Sequence, residues 1–537
     1  MPIFYHLQAH IWIFYLFFVN GFLLTLIFAG SNQEILRLTR TFEAKVIASF
    51  ALSLGVNGVV LAVFDLLDLS WEYVILLLSI ISVLLALYIW KRNLLSNYVF
   101  RVGGIQAVIY ILVGLVIFYN GALIEQISDA WWHMSLANKM ALASSYTLEQ
   151  GHLNSVSTRW YPPLWHANLA LATKLSGEGL PVLWNAATVW LAVLKLMAYY
   201  LFALGLTSKK RIAVLSVFLF VLIPGMGVSY LRVSAWPSHV AYIFMFSLLF
   251  IIFELFNSFQ RPDTGNVFKQ VVSLLLNHAT SIVVIILLAT LIIFSHQLEL
   301  LWVALSIVFY ALATEIRQTL CSVDRELESE VLRLICRATM VCVVLIGFWL
   351  MYANSSSWRE NTDVLFAYLG VMIIAVLIFL VSFSRFQKVN LFMLSASLVA
   401  VVFSIDYTHV YSLFDATASL PKRHYAELPL LSVGWFGGHL VVPGWHLQLR
   451  SAMLYSGVVA LPLSCFLAYR LRNRAALFLA GNAVFAVLFC VSPYLYQWFY
   501  DATDYHSPWR ISILIFTPII FSLAIIESRR LFAMSKD

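Results

Sequence analysis

The sequence predicts an all-α, polytopic membrane protein with about fifteen spanning helices, each of about 20 mostly apolar residues. Three observations predict it. The 537-residue chain is 62% hydrophobic and 11% charged, with a mean hydropathy of +0.88, whereas a soluble domain is about half apolar and about a quarter charged. Apolar runs long enough to cross a bilayer recur from one end of the chain to the other. The segments between them sort by charge into two kinds.

The runs lie at 9–29, 46–66, 73–90, 104–120, 183–206, 212–229, 239–256, 280–295, 300–314, 339–353, 364–384, 390–405, 452–469, 475–492 and 509–527. The first has no basic leader and no small-residue cleavage site, so it reads as a retained helix. One set of connections is basic: "RLTRTFEAK", "KRNLLSNYVFR", "TSKKR", "QRPDTGNVFK", "SRFQK", "YRLRNR" and the tail "ESRRLFAMSKD". The tendency of cytoplasmic loops to collect Lys and Arg puts these inside. The loop 315–338, "EIRQTLCSVDRELESEVLRLICR" with its neighbours, belongs with them as a charged amphipathic helix on the inner surface. The N-terminal "MPIFYHLQAH" lacks Lys and Arg, so the N-terminus is expected outside. An odd number of spans then puts the C-terminus inside. The formal charge of +7 is accounted for by these loops, so the bilayer, and no nucleic acid, is the expected partner.

This order divides the chain into five blocks. N-terminal spans fill 1–120, and an external loop with two amphipathic helices fills 121–182. Central spans, interrupted by the cytoplasmic loop 315–338, fill 183–405. A large external loop covers 406–451, and C-terminal spans fill 452–537. The sequence shows no internal repeat, low-complexity tract or soluble domain. The 5 Cys form no metal or disulfide pattern, and none falls in a loop placed outside.

The outward segments are rich in Trp, Tyr and His. Every one of the 13 His except His278 falls on that side. An interfacial aromatic belt explains Trp and Tyr, but not His. The segment 121–182 is the most informative, being too polar to span and too apolar to be a loose loop. One short helix is expected over about 128–146, within "SDAWWHMSLANKMALASS". A second is expected from "YPPLWH", where Pro162 and Pro163 suit a first turn. Asp129 and His133 are four apart and share a helix face. Asp129 is either a general base for a hydroxyl or a helix cap. His133 is placed to hydrogen-bond that carboxylate or a phosphate.

An acidic residue just after a span, followed by His ("DAWWH"), a two-helix external loop and "YPPLWH", resembles the GT-C superfamily of membrane glycosyltransferases. Its bacterial arabinosyl- and mannosyltransferase-like branch is the nearest in pattern. The resemblance covers about 105–240 at motif level. It implies a catalytic Asp or Glu in the external loop, a polyprenyl-phosphate sugar as donor, no metal cofactor, and chemistry on the extracytoplasmic face of a bacterial inner or plasma membrane. In this sequence the catalytic position falls on Asp129, with His133 beside it. The acidic loop follows the fourth run here rather than the first, a departure that three additional N-terminal helices would produce.

A lipid-phosphate leaving group needs cations or fixed donors around its developing charge, and Arg suits bidentate phosphate contact. Arg232 and His239 in "LRVSAWPSH", and His446 and Arg450 in "GWHLQLR", are candidates for donor or substrate binding. So are Tyr161 and His166 in "YPPLWH", and His296 and Glu299 in "FSHQLEL". Each cation could instead be an interfacial side chain reaching for water, and "FSHQLEL" could be a polar turn between two spans. The outward His show no metal-ligand spacing. The loop 406–451, with "GWFGGHLVVPGWH", is expected to be ordered, either as a sugar-binding lid or as a plug.

The function expected is transfer of one sugar from a polyprenyl-phosphate carrier to a lipid-linked glycan, glycolipid or polysaccharide acceptor, with inversion at the sugar carbon. Two alternatives stay open. An O-antigen-type polymerase or ligase would also use outward Arg and His, and would exploit a large late loop. A lipid or polysaccharide transporter would carry ionisable groups in mid-membrane, where Lys195 is the clear charge.

Overall fold

In the computed structural model, residues 2–97, 101–121, 130–144, 162–222, 235–258, 278–321, 430–435, 438–443, 451–491 and 513–533 are described. The chain is nearly all helical. It divides into one unit of Met1–Phe259 with Val272–Val303, and a second of Gln260–Val271 with Ala304–Asp537. The expected runs between 339 and 405 lie outside the described residues.

The first unit begins with α1 (Pro2–Phe14), a π-helical turn (Tyr15–Val19) and α2 (Asn20–Ser31), then α3 (Gln33–Leu38), α4 (Phe42–Leu66), α5 (Glu72–Arg92) and α6 (Gly104–Gly121). It continues with α7 (Ala130–Ala143), α8 (Leu164–Ser176), α9 (Leu180–Thr207), α10 (Lys210–Leu222), α11 (Pro237–Asn257), α12 (Ala279–His296) and the start of α13 (Leu298–Cys321). Among the described residues, six helices are long and apolar enough to cross a membrane: Leu7–Ser31, Phe42–Leu66, Glu72–Arg92, Leu180–Thr207, Pro237–Asn257 and Ala279–His296. α11 is buried nearly along its length and forms the centre, packed on α9 and α12, while α5 is largely exposed at the periphery.

Small residues allow the closest contact. Without water between helices, association depends on packing and interhelical hydrogen bonds. Gly21 on α2 lies against Ser49 and Ser53, one turn apart on α4, and its backbone N–H donates to Ser53 Oγ at 2.8 Å. A Cβ at Gly21 would stand 1.8 Å from the Ser49 carbonyl oxygen.

Side-chain bonds separate two ends of this bundle. At one, the Arg40 guanidinium meets Glu254 at 3.5 Å, His278 Nδ1 meets Glu34 at 3.2 Å, and Gln106 Nε2 donates to Glu43 at 2.9 Å. Arg37, Arg92, Lys209, Lys210 and Arg211 belong to the same end by their place in the chain. At the other end, Gln8 Nε2 donates to the Ser176 carbonyl at 3.4 Å and Trp165 Nε1 to the Ala235 carbonyl at 2.6 Å. The helices α7 and α8 lie at this second end.

α8 differs from the amphipathic interfacial helix expected for its segment. Such a helix keeps one wet face, but Leu164 through Ala172 are all buried, packed against α4, α7 and α9. In "FSHQLEL" the polar turn is one residue long: Gln297, at φ −63°, ψ −22°, separates α12 from α13. His296 at the end of α12 bonds to Glu299 at the start of α13 across it.

In the second unit, α14 (Ser451–Leu471), α15 (Arg474–Val491) and α16 (Thr517–Ala533) are the described C-terminal helices. Ser306 Oγ donates to Asn482 Oδ1 at 2.7 Å, tying α13 to α15. Residues Leu430–Trp435 (β1) and Gly438–Pro443 (β2) form an antiparallel hairpin. This departs from an all-α chain: the alternation in "LLSVGW" and "GHLVVP" suits strands better than helix.

Candidate active site

α7 starts at Ala130, the residue after Asp129 in the chain. Asp129 itself, and Tyr161, Arg232, His446 and Arg450, lie outside the described residues. The remaining sequence candidates fall into three pairings.

The first joins the two short helices. His133 Nδ1 and His166 Nε2 are 2.9 Å apart and share a hydrogen bond, with either nitrogen able to donate. Their rings are stacked at 5.1 Å, with Trp132 edge-on to His133 at 4.8 Å. Trp184, at the start of α9, stacks on His133 at 6.3 Å. α8 is placed for this by its boundaries. Pro163 precedes its first turn, where a missing N–H costs nothing, and Gly177 ends it at φ +67°, a left-handed conformation that suits glycine. Further along α8, Asn168 Oδ1 accepts from Asn57 Nδ2 of α4 at 2.9 Å, and the same Asn57 amide donates to the Leu16 carbonyl at 3.0 Å. Leu16 sits in the π-helical turn, where the change of hydrogen-bond register frees a backbone carbonyl.

His166 is fully enclosed. Burial removes the hydration that an imidazolium requires and, with the charge of nearby His296, holds its pKa down to about 3 against a backbone hydrogen bond with Pro162 that favours the proton. His166 is therefore neutral at physiological pH and relays a hydrogen bond rather than a charge.

The second pairing spans the junction between α12 and α13. His296 Nδ1–H donates to Glu299 Oε2 at 2.5 Å, and Glu299 has no exposed surface. His296 acts electrostatically on His166, and α12 packs on α8. Four sequence candidates, His133, His166, His296 and Glu299, thus gather at one end of the first unit.

The third pairing is separate in partnership. His239, in the first turns of α11, accepts from Lys195 Nζ of α9 at 2.8 Å, and both are buried. His239 thus bonds a buried lysine of α9. Among the described residues, no three His, Cys, Asp or Glu side chains group closely enough to hold a metal.

The sequence reading missed Trp184, Asn57 and Asn168. Trp184 passes for a belt aromatic at the head of a span. The two Asn are lone amides in apolar helices, and buried amides of that kind need partners; that was the available signal.

These features define a helical integral membrane protein with a buried polar cluster at one end of its bundle. No family model matches the sequence, and no curated protein matches it. Among solved structures, it is similar to the apo oligosaccharyltransferase of Archaeoglobus fulgidus, with a TM-score of 0.46 and 12% identity over 80% of this chain and 52% of that one. It is similar to archaeal oligosaccharyltransferase AglB from the same organism, in complex with an inhibitory peptide and a dolichol-phosphate, with a TM-score of 0.46 and 13% identity over 80% and 51%. The A. fulgidus enzyme in complex with Zn and sulfate gives a TM-score of 0.39 and 12% identity over 79% and 50%. This chain spans about half the length of those proteins.

Proposed function

We propose that this protein is a GT-C-like membrane glycosyltransferase that transfers one sugar from a polyprenyl-phosphate donor to a lipid-linked glycan, glycolipid or polysaccharide on the extracytoplasmic face. One observation carries the reading. The chain enters α7 directly from Asp129, and α7 packs on α8 to bring His133, His166, His296 and Glu299 together at one end of the bundle. Among the described residues of the first unit, the opposite end holds Arg37, Arg40, Arg92, Lys209, Lys210 and Arg211, and loops of that kind tend to stay in the cytoplasm.

In this scheme Asp129 takes the proton of the acceptor hydroxyl as the acceptor oxygen bonds to the anomeric carbon. The bond from that carbon to the phosphate oxygen breaks, and polyprenyl phosphate leaves with the electron pair. The developing phosphate charge requires cations or fixed donors, and Arg232, Arg450, His446 and Tyr161 are the sequence's candidates for them. No metal takes part. Attack from the face opposite the phosphate inverts the anomeric centre. The bacterial inner or plasma membrane is the expected location.

Surface-glycan and glycolipid profiles of a deletion strain, with and without the wild-type chain restored, test this. Loss of one sugar, with the shortened acceptor accumulating, is expected. A second reading, transport of a lipid-linked glycan, is favoured by the buried Lys195–His239 pair within the spans. It expects the complete glycan to accumulate unchanged on the cytoplasmic side, and that result would replace the first reading.

A further inference from the structure

The hydrogen bond between α7 and α8 has a direction, and its surroundings fix it. His133 Nδ1 and His166 Nε2 are 2.9 Å apart, and a bond between two imidazole nitrogens needs one N–H and one lone pair. His166 has no exposed surface and is neutral, so its ring carries one proton. Its other hydrogen bond goes to the backbone of Pro162. Proline has no N–H, so the group met there is the carbonyl oxygen, which only accepts. That contact falls short of ideal hydrogen-bond geometry, yet a lone pair on Nδ1 would still oppose the lone pairs of the carbonyl. The proton of His166 therefore sits on Nδ1, and its Nε2 accepts. His133 Nδ1–H is then the donor. With Nδ1 committed in this way, the neutral His133 ring carries its lone pair on Nε2.

This direction decides what His133 can bind. A carboxylate and a phosphodiester offer only acceptors, so neither matches a lone pair on Nε2. A hydroxyl does, because it donates. The ring is held in place, with Trp184 stacked on it at 6.3 Å and Trp132 edge-on at 4.8 Å. His133 keeps 7% of its surface exposed and His166 none, so His133 is the member of the pair within reach of a ligand. We propose that His133 Nε2 accepts the hydrogen bond of a saccharide hydroxyl, and that Pro162 and His166 hold its tautomer for this. The inference rests on the transferase reading in assigning that hydroxyl to the acceptor, since α7 begins one residue after Asp129 and His133 follows Asp129 by one turn. It moves His133 from bonding the Asp129 carboxylate or a phosphate to orienting the acceptor hydroxyl, and it makes His166 a positioning residue.

The test uses the full-length protein in lipid nanodiscs with isotope-labelled histidine. Solid-state NMR reads which ring nitrogen carries the proton, and the two signals are identified by their loss in His133→Asn and His166→Leu. The wild type is expected to show Nδ1–H and an Nε2 lone pair in both rings at neutral pH. Two kinds of probe are then added separately. The methyl glycosides of mannose, glucose, galactose and arabinose carry hydroxyls but no phosphate, and dimethyl phosphate carries phosphate oxygens but no hydroxyl. At least one glycoside is expected to shift the His133 Nε2 resonance, and dimethyl phosphate to leave it in place. His166→Leu removes the acceptor that fixes the tautomer and is expected to weaken that glycoside about ten-fold, as loss of one hydrogen bond would. A proton on His133 Nε2 in the wild type, an Nε2 resonance that no glycoside moves, or unchanged glycoside binding in a folded His166→Leu overturns the proposal. The two wild-type readings decide it even where His166→Leu fails to fold. If Asp129→Asn supports a normal glycan profile while a glycoside still shifts Nε2, the transferase reading fails and the hydroxyl site stands.

Discussion

His133 and His166 illustrate how burial decides chemistry for single residues. Either could have titrated near neutrality had it faced water. Enclosure by α8 and its neighbours depresses His166 to about 3, so it is neutral when folded. The unfolded chain takes up that proton below about 6.5. The associated stability is therefore complete above that pH and is lost progressively as pH falls towards 3. In nanodiscs, the wild-type melting temperature should drop between pH 7 and pH 4.5, and His166→Gln should drop less. Equal drops would mean that His166 is not held neutral by the fold. The sequence showed His133 and His166 as candidates, because outward His exceeded what an aromatic belt explains. It did not show that they bond to one another, since that contact depends on how α7 folds against α8, 33 residues apart in sequence.

At the scale of elements, the position of α8 depends on α4 and the first span. Asn57 satisfies both the Leu16 carbonyl of the π-helical turn and Asn168 of α8. Asn57→Leu leaves those groups unpaired and should destabilise the protein by about 1–2 kcal/mol. Hydrogen exchange should rise in 164–176 more than in α11; a uniform rise would deny Asn57 a local role. Gly21→Ala should cost about 1–3 kcal/mol or more, because its Cβ would meet the Ser49 carbonyl at 1.8 Å. An unchanged denaturation midpoint would contradict that close approach. The long spans were legible because a bilayer demands length and apolarity, and both can be counted. The π-helical turn and the burial of α8 were not. Each depends on which tertiary partner satisfies a backbone or amide group, and hydropathy carries no record of that.

For the whole molecule, the account depends on which end of the bundle faces out. Trp131 on α7 is 59% exposed at the end holding the histidines, and Leu36 on α3 is 47% exposed at the basic end. In a background lacking the native cysteines, Trp131→Cys should react with a membrane-impermeant maleimide in intact cells. Leu36→Cys should react only after permeabilisation. The reverse pattern would place the histidine cluster in the cytoplasm. The membrane class was legible from composition, the "DAWWH" motif was a pattern of spacing, and the charge asymmetry supplied the orientation as an expectation.

The central claim is that Asp129 drives a sugar transfer, and one comparison addresses it most directly. A deletion strain carries either the wild type or Asp129→Asn, matched for abundance in the membrane, and its surface glycans and glycolipids are profiled. The account predicts that Asp129→Asn matches the deletion, missing one sugar and accumulating the shortened acceptor. Full restoration of the profile by Asp129→Asn would contradict it and reduce Asp129 to the cap of α7.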